Sequence, residues 1–328
     1  MSSTPAILVA GGAGYIGSQT CKALKQAGYL PVTLDNLSTG YRQAVKFGPF
    51  VEADLRDRET VRKTVRDYDI KAAIHFAAFS LVGESVSNPA KYYDNNVGAA
   101  NAFASALIEE GVGAFVFSST AATYGVPTAS PIPEDHPTVP INPYGASKLA
   151  FEGALRWLGE AHPFNWTALR YFNAAGADPD GEVGESHEPE THLIPNLCKA
   201  VLGTGPGLTV FGQDYPTPDG TPIRDYIHVV DLAQAHVLAI ARLLDGGDCG
   251  VFNVGTGEGA TVMQIIAAAE KVLGKKVPYT VGPRRAGDPP SLVADSSRLK
   301  AAFGWAPTHS DLETIIATAA KWQQNRPY

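Results

Sequence analysis

Strand-length runs of apolar residues punctuate the first half of the chain, at Ala6 to Ala10, Leu30 to Leu34, Phe50 to Val51, Ala72 to Phe76, Ala114 to Phe117 and Trp166 to Tyr171. Between them lie longer segments whose apolar positions recur every three or four residues. The alternation predicts βαβ units. Runs such as "AFVFS" suit strands covered on both faces, hence a parallel sheet with helices on each side. Sheets of that kind bind ligands beyond the carboxyl ends of their strands, so the residues just after each run matter most.

The punctuation changes after Thr123. Prolines at 127, 131, 133, 137, 140 and 143 are too many for a helix or an interior strand and predict an ordered loop over the site. A second irregular stretch, "NAAGADPDGEVGESHEPETHLIPN", opens a region of mixed short elements, read as a smaller lobe. The apolar strand "GVFNVG", Gly250 to Gly255, looks like a late return to the large sheet. The lobes are thus expected to interleave: 1–172 plus about 226–256 in one, about 173–225 plus 257–328 in the other. No internal repeat or low-complexity tail is evident.

Composition narrows the function classes. The chain has 328 residues, 45% hydrophobic and 18% charged, ordinary for a globular protein that can bury a large core. Its formal net charge of -7, with no dense Lys/Arg run, argues against a general binder of nucleic acid or membrane surfaces. An anionic ligand must therefore meet a few placed arginines. The three cysteines, Cys21, Cys198 and Cys249, are odd in number and far apart, so they suggest reduced core thiols rather than disulfides, and no metal is expected. Met1 to Pro5 carries no basic segment leading into a cleavable apolar stretch, and no run could span a bilayer, so the expected location is cytoplasmic.

"AILVAGGAGYIG" reads as a strand, a turn and the start of the helix "SQTCKALKQAG". Glycines in such a turn let the backbone approach a pyrophosphate at a helix N-terminus. Gly11, Gly14 and Gly17 are spaced G-x-x-G-x-x-G, one residue off the G-x-G-x-x-G form, and a lone glycine pattern is weak evidence. Position strengthens it, because Asp35 ends the next apolar run, "LPVTLD". A carboxylate there can accept hydrogen bonds from ribose hydroxyls and would repel a 2′-phosphate, which favours NAD over NADP. The expected fold class is α/β, a Rossmann-type doubly wound parallel sheet with a smaller mixed α/β substrate-binding lobe. Asp54, after the third run, could bond the adenine amino group or simply cap a helix.

The chemical pair is Tyr144 and Lys148 in "PYGASK", four residues apart and so on one face of the helix that continues as "LAFEGALRWLGEA". For a phenol of pKa about 10 to act as a base near neutrality, its phenolate needs about 4 kcal/mol of stabilisation. One ammonium about 4 Å away supplies roughly that much at an effective dielectric of 20. Lys148 beside a cationic oxidised nicotinamide is therefore expected to suffice. Thr120, ending the "FSST" strand, could pass the substrate proton to Tyr144. Ser118 and Ser119 are alternative donors, or strand-end capping groups.

"GGAGYIG", Asp35, "FSST" and "YGASK" together resemble the extended short-chain dehydrogenase/reductase family. Within it, "HFAAFSLVGESVSNPAKYYDNNV", "LRYFNAAGA", "TVFGQDYPTPDGTPIRDYIHVVDLA", "FNVGTG" and "RRAGDPP" are similar to the UDP-glucose 4-epimerase branch along nearly the whole chain. The resemblance implies a tightly held NAD that is reduced and reoxidised within one turnover, and a UDP-hexose substrate. Tyr144 would take the proton of the sugar 4-hydroxyl as hydride leaves C4. The 4-keto sugar would then swing about its diphosphate link and accept the hydride on its other face. UDP must accordingly be gripped while the hexose turns.

By the same resemblance, the cofactor surface comprises Gly11, Gly14, Tyr15, Ile16 and Gly17, then Asp35, Asn36, Asp54 and Leu55. It continues through Phe76, Ala77, Ala78 and Asn95 to Ser118, Tyr144, Lys148 and Tyr171. On the substrate side, Asn173 would contact sugar or phosphate, Leu193 and nearby backbone would hold uracil, and Arg224 and Arg285 would pair with the diphosphate. Asp288 would hold the uridine ribose or order its loop. Leu292 aligns with a position that gates the sugar pocket. A homodimer is implied, built on "NVGAANAFASALIEE" and "LAFEGALRWLGEA".

Two departures from the family pattern stand out: Thr120 replaces a common Ser, and Ser80 replaces a lysine found near the nicotinamide in some members. A 4,6-dehydratase begins with the same oxidation but carries Asp-Glu just after the strand-end Thr, where this chain has Ala121 and Ala122. An epimerase of another UDP-sugar (pentose, uronate or UDP-GlcNAc) is the nearer alternative. A non-catalytic NAD-binding regulator is the remote one, since it need not retain Tyr144, Lys148 and Thr120 together.

Overall fold

In a computed structural model, which describes residues 4–205, 207–247, 250–284 and 288–328, the apolar runs become the strands of one sheet. They are β1 (Ala6–Ala10), β2 (Leu30–Asp35), β3 (Phe50–Glu52), β4 (Ile70–His75), β5 (Ala114–Thr120) and β6 (Asn165–Tyr171). The helices α1 (Tyr15–Gln26) and α2 (Arg58–Tyr68) follow β1 and β3. After β4 come α3 (Val82–Ser87) and α4 (Pro89–Tyr93), a π-helical turn (Asp94–Ala99) and α5 (Ala100–Glu109). The long α6 (Pro143–Ala161) precedes β6.

The second half adds β7 (Asn173–Ala175), α7 (Leu193–Leu202), β8 (Leu208–Phe211), β9 (Ile223–His228) and α8 (Val229–Leu244). The edge strand β10 (Gly250–Val254) is followed by β11 (Gly259–Thr261), α9 (Val262–Leu273), β12 (Tyr279–Gly282), β13 (Ser291–Leu292), α10 (Ser297–Phe303) and α11 (Leu312–Asn325). The large sheet has seven strands in the order β10-β6-β5-β4-β1-β2-β3, all parallel. Its order reverses between β1 and β4, and that switch point opens the crevice in which doubly wound sheets bind ligands.

Side-chain alternation explains why these runs are apolar throughout. Ala6, Leu8 and Ala10 of β1 pack with Val61, Phe103, Leu107 and Phe151 on one face. Ile7 and Val9 pack with Leu24, Leu232 and Ile240 on the other. The strand at "GVFNVG" does return to this sheet, with Gly250 opposite Thr167 and Val254 opposite Tyr171.

Outside it, β9 gathers β7, β11 and β13, and β8 pairs with β12. Ile194, Leu197, Ile265, Ile315 and Ile316, from α7, α9 and α11, form the core there. The proline-rich stretch is ordered, as its composition predicts. Ile132 N donates to Val293 O at 2.8 Å and Asp295 N to Ile132 O at 2.9 Å, pinning it beside β13. Among the described residues, no helix is long and apolar enough to cross a membrane.

Candidate active site

The glycine turn is built by two kinds of constraint. Gly11 has φ of +80°, and a Cβ there would lie 2.6 Å from Ala77 N at the end of β4, so its backbone and its neighbour both require glycine. A Cβ on Gly17 would meet Gly11 O at 2.2 Å. Gly14 differs, since its Cβ would meet only Gly11 O, at 3.4 Å. It is the N-cap of α1, with no side-chain cap and no acidic residue in the first turn, so the positive end of the helix stands open to an anion. The residues present therefore fit a dinucleotide pyrophosphate. Tyr15 closes one side, its hydroxyl donating to Gly176 O at 2.6 Å, and Ile16 packs into the core beneath.

Beyond the turn, buried Asp35 accepts from Ala13 N at 3.0 Å and Leu37 N at 2.8 Å. Burial raises its carboxyl above the usual range, and these two amides oppose the shift. Asn36 Nδ2 donates to Asp54 Oδ2 at 2.9 Å, with buried Leu55 next in sequence. Asp57, not Asp54, caps α2, so the capping alternative for Asp54 does not describe this chain.

Across the switch point, Phe76 N donates to Ala10 O and its ring lies 4.7 Å from that of His236, with Ala77 and Ala78 following. Asn95 lies in the π-helical turn and donates to Asn96 Oδ1 at 3.0 Å. Asn96, which the sequence reading missed, accepts from Phe79 N and donates to Phe79 O and Ser147 Oγ. It thereby fastens the loop after β4 to α6. The available signal was two adjacent amides inside an otherwise helical pattern.

Asn142 caps α6 by accepting from Gly145 N, and Pro143 sits at the helix start, where its missing N–H costs nothing. The first turn thus places Tyr144 and Lys148 under the end of β5. Both are buried, and Lys148 Nζ donates to Ser118 O at 2.8 Å. Thr120 stands close enough to Tyr144 to favour its ionised phenol, and its hydroxyl accepts from Ala122 N at 3.1 Å. Ser119 is committed elsewhere, donating to Glu152 Oε1, and the buried Ser118 hydroxyl has no hydrogen-bond partner among the described residues.

Burial raises the Tyr144 phenol well above its usual value, Tyr171 adds to this and Thr120 opposes it. Burial also pushes Lys148 down to about 7, with Glu152 opposing. The sequence predicts that the Lys148 ammonium, beside a cationic nicotinamide, stabilises the phenolate. In the folded chain that ammonium is itself disfavoured, so a cationic nicotinamide must carry more of that stabilisation. Glu152, one helical turn beyond Lys148, was legible by spacing alone. It is held by Arg170, whose Nε donates to its Oε1 at 3.0 Å.

The substrate-side residues lie around β9. Asn173 opens β7 opposite Tyr226, and Leu193 opens α7. Arg224 Nη2 pairs with Asp288 Oδ1 at 2.7 Å and its Nη1 donates to Ile223 O. Arg285 and Cys249 lie outside the described residues. Arg284, not anticipated, pairs with Asp214 and stacks 4.2 Å over the Tyr215 ring. Leu292 packs against the cluster of Ala121, Tyr124, Ile132, Phe172 and Ala294.

A phosphate-ready helix start at the switch point of a doubly wound sheet, facing a buried Tyr/Lys/Thr set, defines a dinucleotide-dependent enzyme acting on an alcohol or ketone. The chain belongs to the NAD dependent epimerase/dehydratase family, whose model matches residues 7–255, and within it to the UDP-glucose 4-epimerases. It is 49% identical to the UDP-glucose 4-epimerase of Lacticaseibacillus casei over 98% of this chain and 97% of the relative. The crystal structure of UDP-glucose 4-epimerase from Brucella ovis in complex with NAD is 49% identical, with a TM-score of 0.95 over 97% of this chain and 98% of that one. That from Bifidobacterium longum in complex with NAD+ and UDP is 37% identical, with a TM-score of 0.92 over 98% and 99%.

Proposed function

We propose that this chain is an NAD-dependent UDP-glucose 4-epimerase, interconverting UDP-glucose and UDP-galactose by inversion at C4. The observation that carries the reading is the buried Tyr144, Lys148 and Thr120 set beneath the end of β5, beside the glycine turn, in a chain of this family. The glycine turn, Asp35 and the strand ends through Tyr171 would hold NAD, which would supply a hydride acceptor and donor for C4. Tyr144 accepts the 4-hydroxyl proton and later gives it back, with Thr120 bridging phenol and sugar oxygen. Lys148, anchored on Ser118 O, orients this pair and favours the ionised phenol.

The division of labour follows the sheets. Residues 1–172 with about 226–256 hold NAD, and about 173–225 with 257–328 hold the UDP-sugar. Asn173, Leu193, Arg224, Arg285 and Asp288 grip the UDP end. Leu292, packed against Ala121 and Phe172, bounds the hexose end and limits bulk at C2. Ala121 and Ala122 supply no acid or base for water elimination, which supports epimerisation over dehydration.

The protein acts as a homodimer, a reading supported by the exposed Trp157 (62%) that α6, one of the two helices expected at the dimer contact, presents. We place it in the cytoplasm, where its buried free thiols Cys21 and Cys198 stay reduced. Purified protein incubated with UDP-galactose and no added NAD should form UDP-glucose. Failure to do so, unrelieved by adding NAD, refutes the assignment.

A further inference from the structure

The segment leading into α7 contains two Glu-x-His units, Glu185-Ser186-His187 and Glu190-Thr191-His192. Cysteine spacing alone predicts no metal and gives no sign of these four residues. In the fold their ligand atoms converge, all lying within 4.8 Å of one another. His187 Nδ1 is 3.2 Å from Glu185 Oε1 and 3.8 Å from Glu190 Oε2. His192 Nδ1 is 3.6 Å from Glu190 Oε1 and also meets Glu185 Oε1. Bonds of about 2.0–2.1 Å around a tetrahedral zinc ion give ligand–ligand edges of about 3.3–3.4 Å, which these separations bracket.

A second observation points to a missing cation. The Glu190 side chain is only 3% exposed, and its Oε2, turned toward His187, has no hydrogen-bond partner. A buried carboxylate oxygen without a donor is costly. The backbone around the ligands is already fixed, since Trp322 Nε1 donates to Glu185 O at 2.9 Å and Asn196 Nδ2 to Glu190 O at 3.3 Å. A cavity of about 40 Å³ bordered by Gly14, Tyr15, Gly184 and His187 adjoins the cluster and offers an entry path. The neighbouring acidic trio makes a contrast: Asp178, Asp180 and Glu182 already share a cation, the Lys22 ammonium, at 2.7–2.8 Å.

We propose that Glu185, His187, Glu190 and His192 form a four-ligand structural site for one zinc ion. Two imidazoles with two carboxylates suit zinc, whereas calcium and magnesium take six or more oxygens. Four protein ligands leave no open position, so the ion serves structure rather than chemistry. It ties the 185–192 segment, and with it the start of α7 at Leu193, against the Tyr15 side of the glycine turn.

The test uses tag-free, full-length protein, stripped by a chelator and then titrated with zinc chloride, with bound metal measured after gel filtration. One zinc per chain is expected. His187→Gln and His192→Gln should each weaken binding at least 100-fold, while Glu188→Gln, on the outward-facing residue between the units, should not. Substoichiometric zinc in the wild type, or undiminished binding in both histidine variants, overturns the proposal. Should those variants fail to fold, cobalt(II) loaded into the wild type decides. Intense visible absorption of a four-coordinate ion is expected, and the weak absorption of a six-coordinate one refutes the site.

Discussion

Gly14 and Gly17 lie three residues apart in one turn, yet replacing each by alanine should do different things. At Gly17 the new methyl would start 2.2 Å from Gly11 O. Restoring an ordinary 3.4 Å contact requires the turn and α1 to separate by about 1.2 Å, the difference of those distances. Forcing an atom into so rigid a place costs about 3 kcal/mol, and the helix propensity of alanine returns about 1 kcal/mol. The net loss of about 2 kcal/mol lowers Tm by about 3 °C in a chain of this size.

At Gly14 the methyl would make only an ordinary contact, 3.4 Å from Gly11 O, so the protein alone should lose less than about 1 kcal/mol. It should nonetheless exclude the pyrophosphate and weaken NAD binding at least tenfold, about 1.4 kcal/mol. The assay pairs thermal unfolding of nucleotide-free protein with NAD content per chain after acid release. Gly17→Ala should lower both, and Gly14→Ala only the NAD content. A Gly14→Ala protein that keeps its full NAD would refute the placement of the cofactor at this helix start.

Tyr144→Phe should cut turnover at least a thousandfold while NAD still co-purifies, and residual activity near wild type would move the base elsewhere. Lys148 supplies a pH signature. With its folded value near 7 and an unfolded one near 10.5, the cost of burying its charge is fully present below pH 7 and relieved as pH rises toward 10.5. Nucleotide-free wild type should therefore gain stability over Lys148→Met between pH 7 and 9, by up to about 1.4 kcal/mol per unit. A flat difference in urea unfolding would contradict this. Trp157→Glu should shift a dimer toward monomer by sedimentation velocity, and a monomeric wild type would remove the dimer from the account.

The large sheet was legible because its central strands, such as β1 and β5, are buried on both faces and written as largely apolar runs. Boundaries were less so. β5 continues through Ser118 and Ser119 to Thr120, where the buried Ser119 hydroxyl finds a partner in Glu152. The Tyr144/Lys148 pair was legible from helical spacing. Its electrostatics were not, since burial of both groups depends on what packs around them. The short strands β7 and β13 exist only because β9 pairs with them, and their two or three residues carry no period of their own. The Arg224–Asp288 pair joins residues 64 apart, a closeness that local pattern cannot reveal.

The central claim is that one cofactor, gripped by the glycine turn and served by Tyr144, removes and returns the same hydrogen. Incubating the purified protein with UDP-galactose deuterated at C4, without added NAD, tests it directly. The account predicts UDP-glucose with the deuterium still at C4. Exchange of the label with solvent, or no conversion with or without NAD, would contradict it.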